Sequence, residues 1–538
     1  MFFHKKTYAK ETLPTFASVS DQLPEPVMNE RPLWIEVYWK AWELAFSHLY
    51  EPTEANGFVS PYFDAAFNSC IFLWDMSFIT FFTNYGYPAI HGIASLDNFY
   101  AKQHPTGEIC REIFRSDGTD SYWANRYNEP LCTRLGYITE FEGFTDKNKM
   151  SVTYAGREIP VPNPQLTLDG LNHPILAWAE WESFKLTGDK ARLQQVYLPL
   201  VKYYEALQKY IRQGNGLYMT DRNSMDNSPR NPWLRGGGTA IDLSAEMALF
   251  ARNLADIAGV LGETERQRHY TKEADDLSAV INEKMWNDKS QFYFDLNLDE
   301  EQCDIKTVAG FWPLIAQVAS PAQANRLAEH LQNPKTFGRL YPVPSLSADA
   351  SGYVSHGGYW RGAVWPPTNT MVVLGLEKYG LDSLAYILAR KHLEQVAGVY
   401  SHTGTIWENY ATDFLSQGFY ENGQPVKKNF VGWSGIGPIK FLLEYGIGLK
   451  ADAVNNKIVW SIRSLDDVGC NRFAFNKARI HLLAKKAQNG IREIHVESDK
   501  DFLREVKYNG EKYSVPVLTG KQTFPLPEKS AKEVAAVR

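Results

Sequence analysis

Residues Asp242 to Leu261, DLSAEMALFARNLADIAGVL, and the adjoining Thr264 to Trp286, TERQRHYTKEADDLSAVINEKMW, decide the fold class. In both stretches apolar residues recur at i, i+3, i+4 and i+7, the period of a helix with a buried face. The same texture runs from Pro32 to about Gly446 and predicts twelve helices. Beside the two quoted, they are Leu33–Leu49, Trp74–Asn84, Ala89–Lys102, Pro174–Leu186, Ala191–Gln213, Thr307–Val318, Pro321–Leu331, Asn369–Tyr379, Leu381–Val396 and Gly435–Tyr445. Taken in consecutive pairs they make six hairpins in two concentric rings. No hairpin buries both faces until its neighbours close around it, so the span is expected to fold as one unit.

Two regions break the pattern. Ser121 to Pro164 is rich in Tyr, Gly, Asn and Pro without a helical period and reads as a long insertion with short strands; such loops in a compact domain are commonly functional. After Gly446 the chain alternates in short runs such as Lys457–Ile462, Ile480–Ala484 and Ile494–Val496, punctuated by Asn489-Gly490 and Asn509-Gly510, the strongest short hairpin signal. The expected organisation is an N-terminal extension (1–30), a helical domain (31–448) with the insertion at about 121–164, and a small β-rich domain (449–538).

Composition narrows the chemistry. The 538 residues carry 56 Lys plus Arg against 62 Asp plus Glu, a formal charge of −6. With no basic stripe, a nucleic-acid partner is not expected, and no window has the roughly 18 apolar residues of a membrane span. Aromatic residues make up 14% of the chain; they fill cores and also stack on sugar rings, which raises the prospect of a carbohydrate ligand. Cys70, Cys110, Cys132, Cys303 and Cys470 form no close pair and read as buried free thiols. No metal-ligand spacing or phosphate loop is found, so neither metal nor cofactor is expected; Gly236-Gly237-Gly238 reads as a tight turn. No apolar run follows Met1 to Lys6, so no signal peptide is read. The compartment stays open, cytoplasmic or, where a signal has been removed, periplasmic or secreted, and the oligomeric state is not read.

Four segments set a charge beside an aromatic or a turn-former: Leu73-Trp74-Asp75, Ser224 to Arg230, Gly358 to Pro367, and Thr405 to Tyr410. Singly each has an ordinary reading. Asp226 suits a helix cap or Asx turn, Trp360-Arg361 a structural stack, and Glu408 an exposed acid.

Together they resemble the trehalase-like clan of inverting glycosidases, closest to glycoside hydrolase family 63 with its mannosylglycerate and glucosylglycerate hydrolases, and more distantly family 37 trehalases. Asp226 to Arg230 is similar to the end of that group's Ser-Gly-x-Asp-Asn-Ser-Pro-Arg segment, with Asn223-Ser224 in place of Ser-Gly, and Gly358 to Pro366 is similar to its Gly-Tyr-Trp-Arg-Gly-Pro-x-Trp-Pro. Trp74-Asp75, the helix from Pro174 to Glu182, Glu408-Asn409-Tyr410 and Phe430 to Ser434 add ordered matches. The resemblance implies an all-α (α/α)6 toroid with the small C-terminal β domain appended. It implies Asp226 as general acid and Glu408 as general base, and it places Trp74, Asp75, Arg230, Trp360, Arg361 and Trp433 around the released sugar. Asn227 and Trp365, within the same motifs, are taken as further substrate-binding residues.

Inversion needs one protonated carboxyl for the leaving oxygen and one ionised carboxyl to activate water on the opposite ring face, roughly 6.5–9.5 Å apart. A toroid whose loops converge on one axis brings together residues 182 positions apart. The expected activity is exo-acting release of a sugar from an α-linked, α-glucosidic oligosaccharide or small glycoside. Arg361 is expected to support the ionised base or to bind the sugar. The chain departs from the family at Asn172-His173-Pro174, where many members have Gln-Pro-Pro, and after Tyr410; it also lacks the trehalase lid. Substrate identity is therefore open, and Glu421 is a second candidate base. Two rival readings stay open: an inactive carbohydrate-binding toroid, and a polysaccharide lyase or sugar epimerase on the same fold.

Overall fold

The structure is a computed structural model describing residues 7–527 apart from 11, 66, 106, 119–150, 155–156, 161–172, 221–224 and 235–237. Its helices of interest are α1 (Pro32–Ser47), α2 (Leu73–Thr83), α3 (Asp97–Ala101), α4 (Leu176–Thr187), α5 (Lys190–Ile211), α6 (Ile241–Leu261), α7 (Thr264–Met285), α8 (Trp312–Ile315), α9 (Pro321–Gln332), α10 (Pro366–Glu377), α11 (Asp382–Thr403) and α12 (Ile436–Ile447). Each of the twelve helical segments expected from periodicity has a counterpart here. Prolines open α1, α9 and α10, where a missing N–H costs nothing and the fixed φ favours the first turn. Ser320 and Gln323 add a capping box to α9.

Contacts run in cyclic order through the even-numbered helices: α2 against α4, then α6, α8, α10, α12 and back to α2. All eleven residues of α2 are buried, polar ones included, as befits a helix with neighbours on every side. By contrast α7 buries only the stripe from Tyr270 through Ala274, Leu277 and Ile281 to Met285, which lies on α6. α11 packs on α10 and α12, and α1 on α11 and α12. The molecule is thus a helical core followed by β sheets.

The β region comprises β1 (Glu25–Met28), β2 (Leu449–Asp452), β3 (Lys457–Ser461), β4 (Val468–Phe475), β5 (Ala478–Ala484), β6 (Ile491–Ser498), β7 (Phe502–Tyr508), β8 (Glu511–Val517) and β9 (Gly520–Pro527). One sheet has the order β1-β4-β5-β6-β9, the other β2-β3-β7-β8. All pairings are antiparallel except β3 with β7. Both Asn-Gly turns have positive φ at each central residue, the geometry that matches strand twist. The sheets face one another through Phe475 on Phe502 and Arg492 on Tyr508.

Residues 25–28, expected within a separate N-terminal extension, instead form β1, paired with Val468–Asn471. Four residues carry too little periodicity to declare a strand. Of the expected insertion, Ser151–Tyr154 and Arg157–Pro160 pair as a short hairpin. The rest of it, Asn172, Asn223, Ser224, Gly236, Gly237 and Cys132 lie outside the described residues. Cys70, Cys303 and Cys470 are buried free thiols, and Cys110 is buried with its Sγ donating to the Glu112 carbonyl. Among the described residues, no helix is long and apolar enough to cross a membrane.

Candidate active site

Glu408 lies just past the end of α11. Gly404, at φ 69°, adopts the left-handed conformation that ends the helix cheaply only for glycine, and the chain turns into a loop. The Glu408 N–H donates to the Lys427 carbonyl at 3.0 Å, and the Lys427 N–H donates to Glu408 Oε2 at 3.3 Å. From the start of the helical turn preceding α12, Trp433 Nε1 donates to the Glu408 carbonyl at 2.8 Å and Ser434 Oγ to that of Trp407 at 2.7 Å. Two motifs read separately in the sequence therefore form one unit: the Trp433-Ser434 segment fixes the backbone that carries the carboxyl.

The Glu408 side chain is almost completely buried, at 1% exposure. Tyr359 donates its hydroxyl to Oε1 at 3.1 Å and Tyr420 donates to Oε2 at 3.3 Å. Burial raises the carboxyl above its ordinary range, while the Lys427 N–H, the two phenols and the Lys427 charge oppose the shift by stabilising the ionised form. Tyr359 itself is pushed well above the ordinary phenol range, by burial first and then by the negative charges of Glu408 and Asp226. It is a proton-holding donor.

Asp226 is exposed, beside the same phenols: its charge acts on Tyr359, Tyr420 and Asp75. Asn227 couples its loop to the aromatic turn 131 residues away. Asn227 Nδ2 donates to the Gly358 carbonyl and the Trp360 N–H donates to Asn227 Oδ1, both at 2.9 Å. Asn231 Nδ2 donates to the Met225 and Asp226 carbonyls at 2.8 and 3.2 Å, which fixes the backbone of that loop.

Trp360 stacks on Trp365 with centroids 3.9 Å apart and planes 3° from parallel. Trp365 leads to Trp433 at 5.7 Å, Trp433 to Trp74 at 5.8 Å, and Trp74 to His173 at 5.2 Å. All four indoles are buried, so they wall the site with fixed faces. Asp75, in the first turn of α2, has a buried Oδ1 without a hydrogen-bond partner among the described residues. Burial first, then the charge of Asp64 and more weakly those of Glu408 and Asp226, hold its carboxyl well above the ordinary range, against the lowering effect of its backbone hydrogen bond.

Two expected sugar contacts are differently engaged. Arg230 is fully buried and spends every N–H within the protein: Nε on Asp295, Nη1 on Asp242 at 2.6 Å and on the Met225 sulfur at 3.7 Å, Nη2 on Asp242 and Asp295. This anchors the Met225–Arg230 loop to the start of α6 and leaves no donor for a ligand. Arg361 donates from Nε to the Gly352 carbonyl at 3.0 Å and pairs through Nη1 with Glu421, half-exposed and held below its usual range mainly by that hydrogen bond.

Sequence reasoning missed Tyr420, Asp242, Asp295 and the pair His173–Glu246, whose Nδ1 and Oε1 are 2.5 Å apart. Burial pushes Glu246 up to about 7; burial also lowers His173, but the Glu246 carboxylate more than offsets this. Only His173 left a trace in the sequence, as a departure from the family's Gln-Pro-Pro.

Residues 162–413 match the family model described as the mannosylglycerate hydrolase MGH1-like glycoside hydrolase domain. A solved mannosylglycerate hydrolase of glycoside hydrolase family 63 from Thermus thermophilus, in complex with glucose, superposes with TM-score 0.52 at 18% identity, covering 74% of this chain and 98% of its own. Over residues 162–413 the chain is thus similar to a glycoside hydrolase domain, and it shares the fold of the family-63 enzyme. An uncharacterised protein of Borreliella burgdorferi is 27% identical over 368 residues, 67% of this chain and 75% of its own. The α-L-rhamnosidase of Dictyoglumus thermophilum matches in fold at TM-score 0.55 and 13% identity over 94% of this chain and 50% of its own.

Proposed function

We propose that the protein is an inverting, exo-acting glycoside hydrolase, with Asp226 as general acid and Glu408 as general base in an (α/α)6 toroid. The carrying observation is the setting of Glu408, a buried carboxyl whose two oxygens accept from Tyr359, Tyr420 and the Lys427 N–H. Donors aimed at both oxygens favour the ionised form, which a base needs to take a proton from water. The exposure of Asp226 is consistent with access by a leaving group. The cyclic contacts of the even-numbered helices support the toroid.

Asp75 and the indoles of Trp74, Trp360, Trp365 and Trp433 form the sugar-binding wall in this reading. Asn227 and Arg230 serve as positioning residues and Arg361 as a rim group. The substrate is an α-linked glycoside of glucose or mannose; the family model named for mannosylglycerate hydrolase favours a small glycoside over a polysaccharide. A lyase needs a phenol or imidazole that gives up its proton, and burial together with the charges of Glu408 and Asp226 makes that harder for Tyr359.

Proton NMR during early turnover of an α-glucoside and α-mannosylglycerate panel tests the reading. The first product is expected as the β anomer. An initial α anomer refutes inversion, and an unsaturated product absorbing in the near ultraviolet refutes hydrolysis.

A further inference from the structure

The C-terminal sheets hold a buried cation that no acceptor among the described residues answers. Along β7, Phe502, Arg504, Val506 and Tyr508 are buried on one face, while the other carries exposed Leu503 and Lys507 with Glu505 buried between them, so the pleat sets Arg504 on the face toward Phe524. Arg504 is 0% exposed, its Cζ sits 4.0 Å from the Phe524 ring centroid, and Nε, Nη1 and Nη2 all lack a hydrogen-bond partner. Arg492 in the same interior leaves only Nε without a partner: it donates from Nη1 to the Ser464 carbonyl at 2.6 Å and from Nη2 to those of Asp466 and Ala484. Burying a guanidinium without an anion or acceptors is strongly unfavourable, and the planar fork left open is the one that matches a carboxylate in two parallel bonds.

The surroundings indicate how a ligand reaches it and of what kind. β8 and β9 are each an edge strand of their sheet, paired along one flank among the described strands, and the Arg504–Phe524 contact brings β9 against β7. On β8, Val515 lies directly beside Arg504 and Tyr513 beside Val506; both are half-buried, as is Phe524 on β9. One strand deeper, Ile458 and Val506 are fully buried. The side chains around Arg504 are therefore apolar and aromatic, and they are less buried toward β8 and β9. The nearby lysines are committed to outward carboxylates, Lys512 to Glu505 and Lys521 to Glu497. One open guanidinium fork in an apolar slot suits a carboxylate with a carbon body.

We propose that the β8–β9 margin is a binding site for a carboxylate, gripped bidentately by Arg504 while Phe524 covers the guanidinium face. The ligand is a free small carboxylate or the acid group of a uronic-acid sugar. Thermal unfolding of the full-length protein in sodium acetate, sodium glucuronate, or glucose, with ionic strength fixed by sodium chloride, tests it. Carboxylates are expected to raise the Tm of wild type through Arg504, whereas any rise with glucose, a candidate product of the proposed catalytic site, is expected to be the same in wild type and in Arg504→Met. A rise with both acids assigns the site to the carboxylate group alone; a rise with glucuronate only assigns it to an acidic sugar. Arg504→Met is expected to lose the response while keeping glycoside turnover, and Arg504→Lys, which keeps the charge without the fork, to bind about tenfold more weakly. No carboxylate-dependent rise in wild type, or a rise undiminished in both variants, overturns the proposal.

Discussion

The Tyr359 hydroxyl donates to Glu408 Oε1 across 3.1 Å, inside a turn that Asn227 holds from the loop of Asp226. The phenol favours the ionised carboxyl, which burial alone disfavours. Glu408 must be ionised to act as a base, so activity is lost as pH falls through its raised value. Tyr359→Phe removes one opposing donor and moves that value further up. The acidic limb of kcat/KM is therefore expected to shift to higher pH, with the largest loss of rate below neutrality. An unmoved limb disconnects Tyr359 from the base.

Asp226→Asn and Glu408→Gln are each expected to lower kcat by about 10²–10⁴-fold with far-ultraviolet circular dichroism unchanged. Glu408→Gln carries a second expectation. The raised carboxyl means that the fold disfavours its charge, a cost present above the ordinary carboxylate range and absent when the group is protonated. The amide removes that cost, so Tm at neutral pH should equal or exceed that of wild type. A clear drop in Tm would contradict this.

Glu421 is the sharpest control. It is half-exposed and bound to Arg361. An exposed pair of this kind is worth about 0–1 kcal/mol, so Glu421→Gln should leave stability within that margin. Its kcat is expected to fall less than tenfold; a loss as large as that of Glu408→Gln would transfer the base to Glu421.

Arg230→Met leaves Asp242 and Asp295 facing each other without their shared cation. Removing one partner from such a buried pair costs about 3–5 kcal/mol, measurable by urea denaturation. Because Arg230 touches no ligand in the proposed site, Arg230→Lys is expected to recover part of the stability and of kcat. A variant with normal stability but a raised KM would instead return Arg230 to the sugar.

The helices were legible because a buried face repeats along the chain. Their inner detail was not. The segments expected over Ala89–Lys102 and Thr307–Val318 begin as tighter 3₁₀ turns, Gly92–Leu96 and Val308–Phe311, before α3 and α8. Periodicity reports which face is buried and says little about the hydrogen-bond ladder. Close approaches decide that locally: a Cβ on Gly92 would meet Thr83 Oγ1 at 2.2 Å, and one on Gly310 would meet Phe292 at 2.3 Å. At the candidate site, the motifs singled out Glu408 and Trp433 but not their mutual hydrogen bond. Arg230 looked like a ligand residue because its acceptors, Asp242 and Asp295, sit 12 and 65 positions away in unremarked sequence.

The pairing of β1 with β4 sets an order of events during synthesis. Glu25–Met28 leaves the ribosome roughly 440 residues before Val468 can meet it, a wait of roughly 20–90 s at ordinary rates of translation. Through that interval the segment is without β4, and its brevity together with Pro26, which has no N–H to offer, guards it against pairing with the wrong chain. A strand made early is completed late, so this sheet closes only after the helices between its two members have been made.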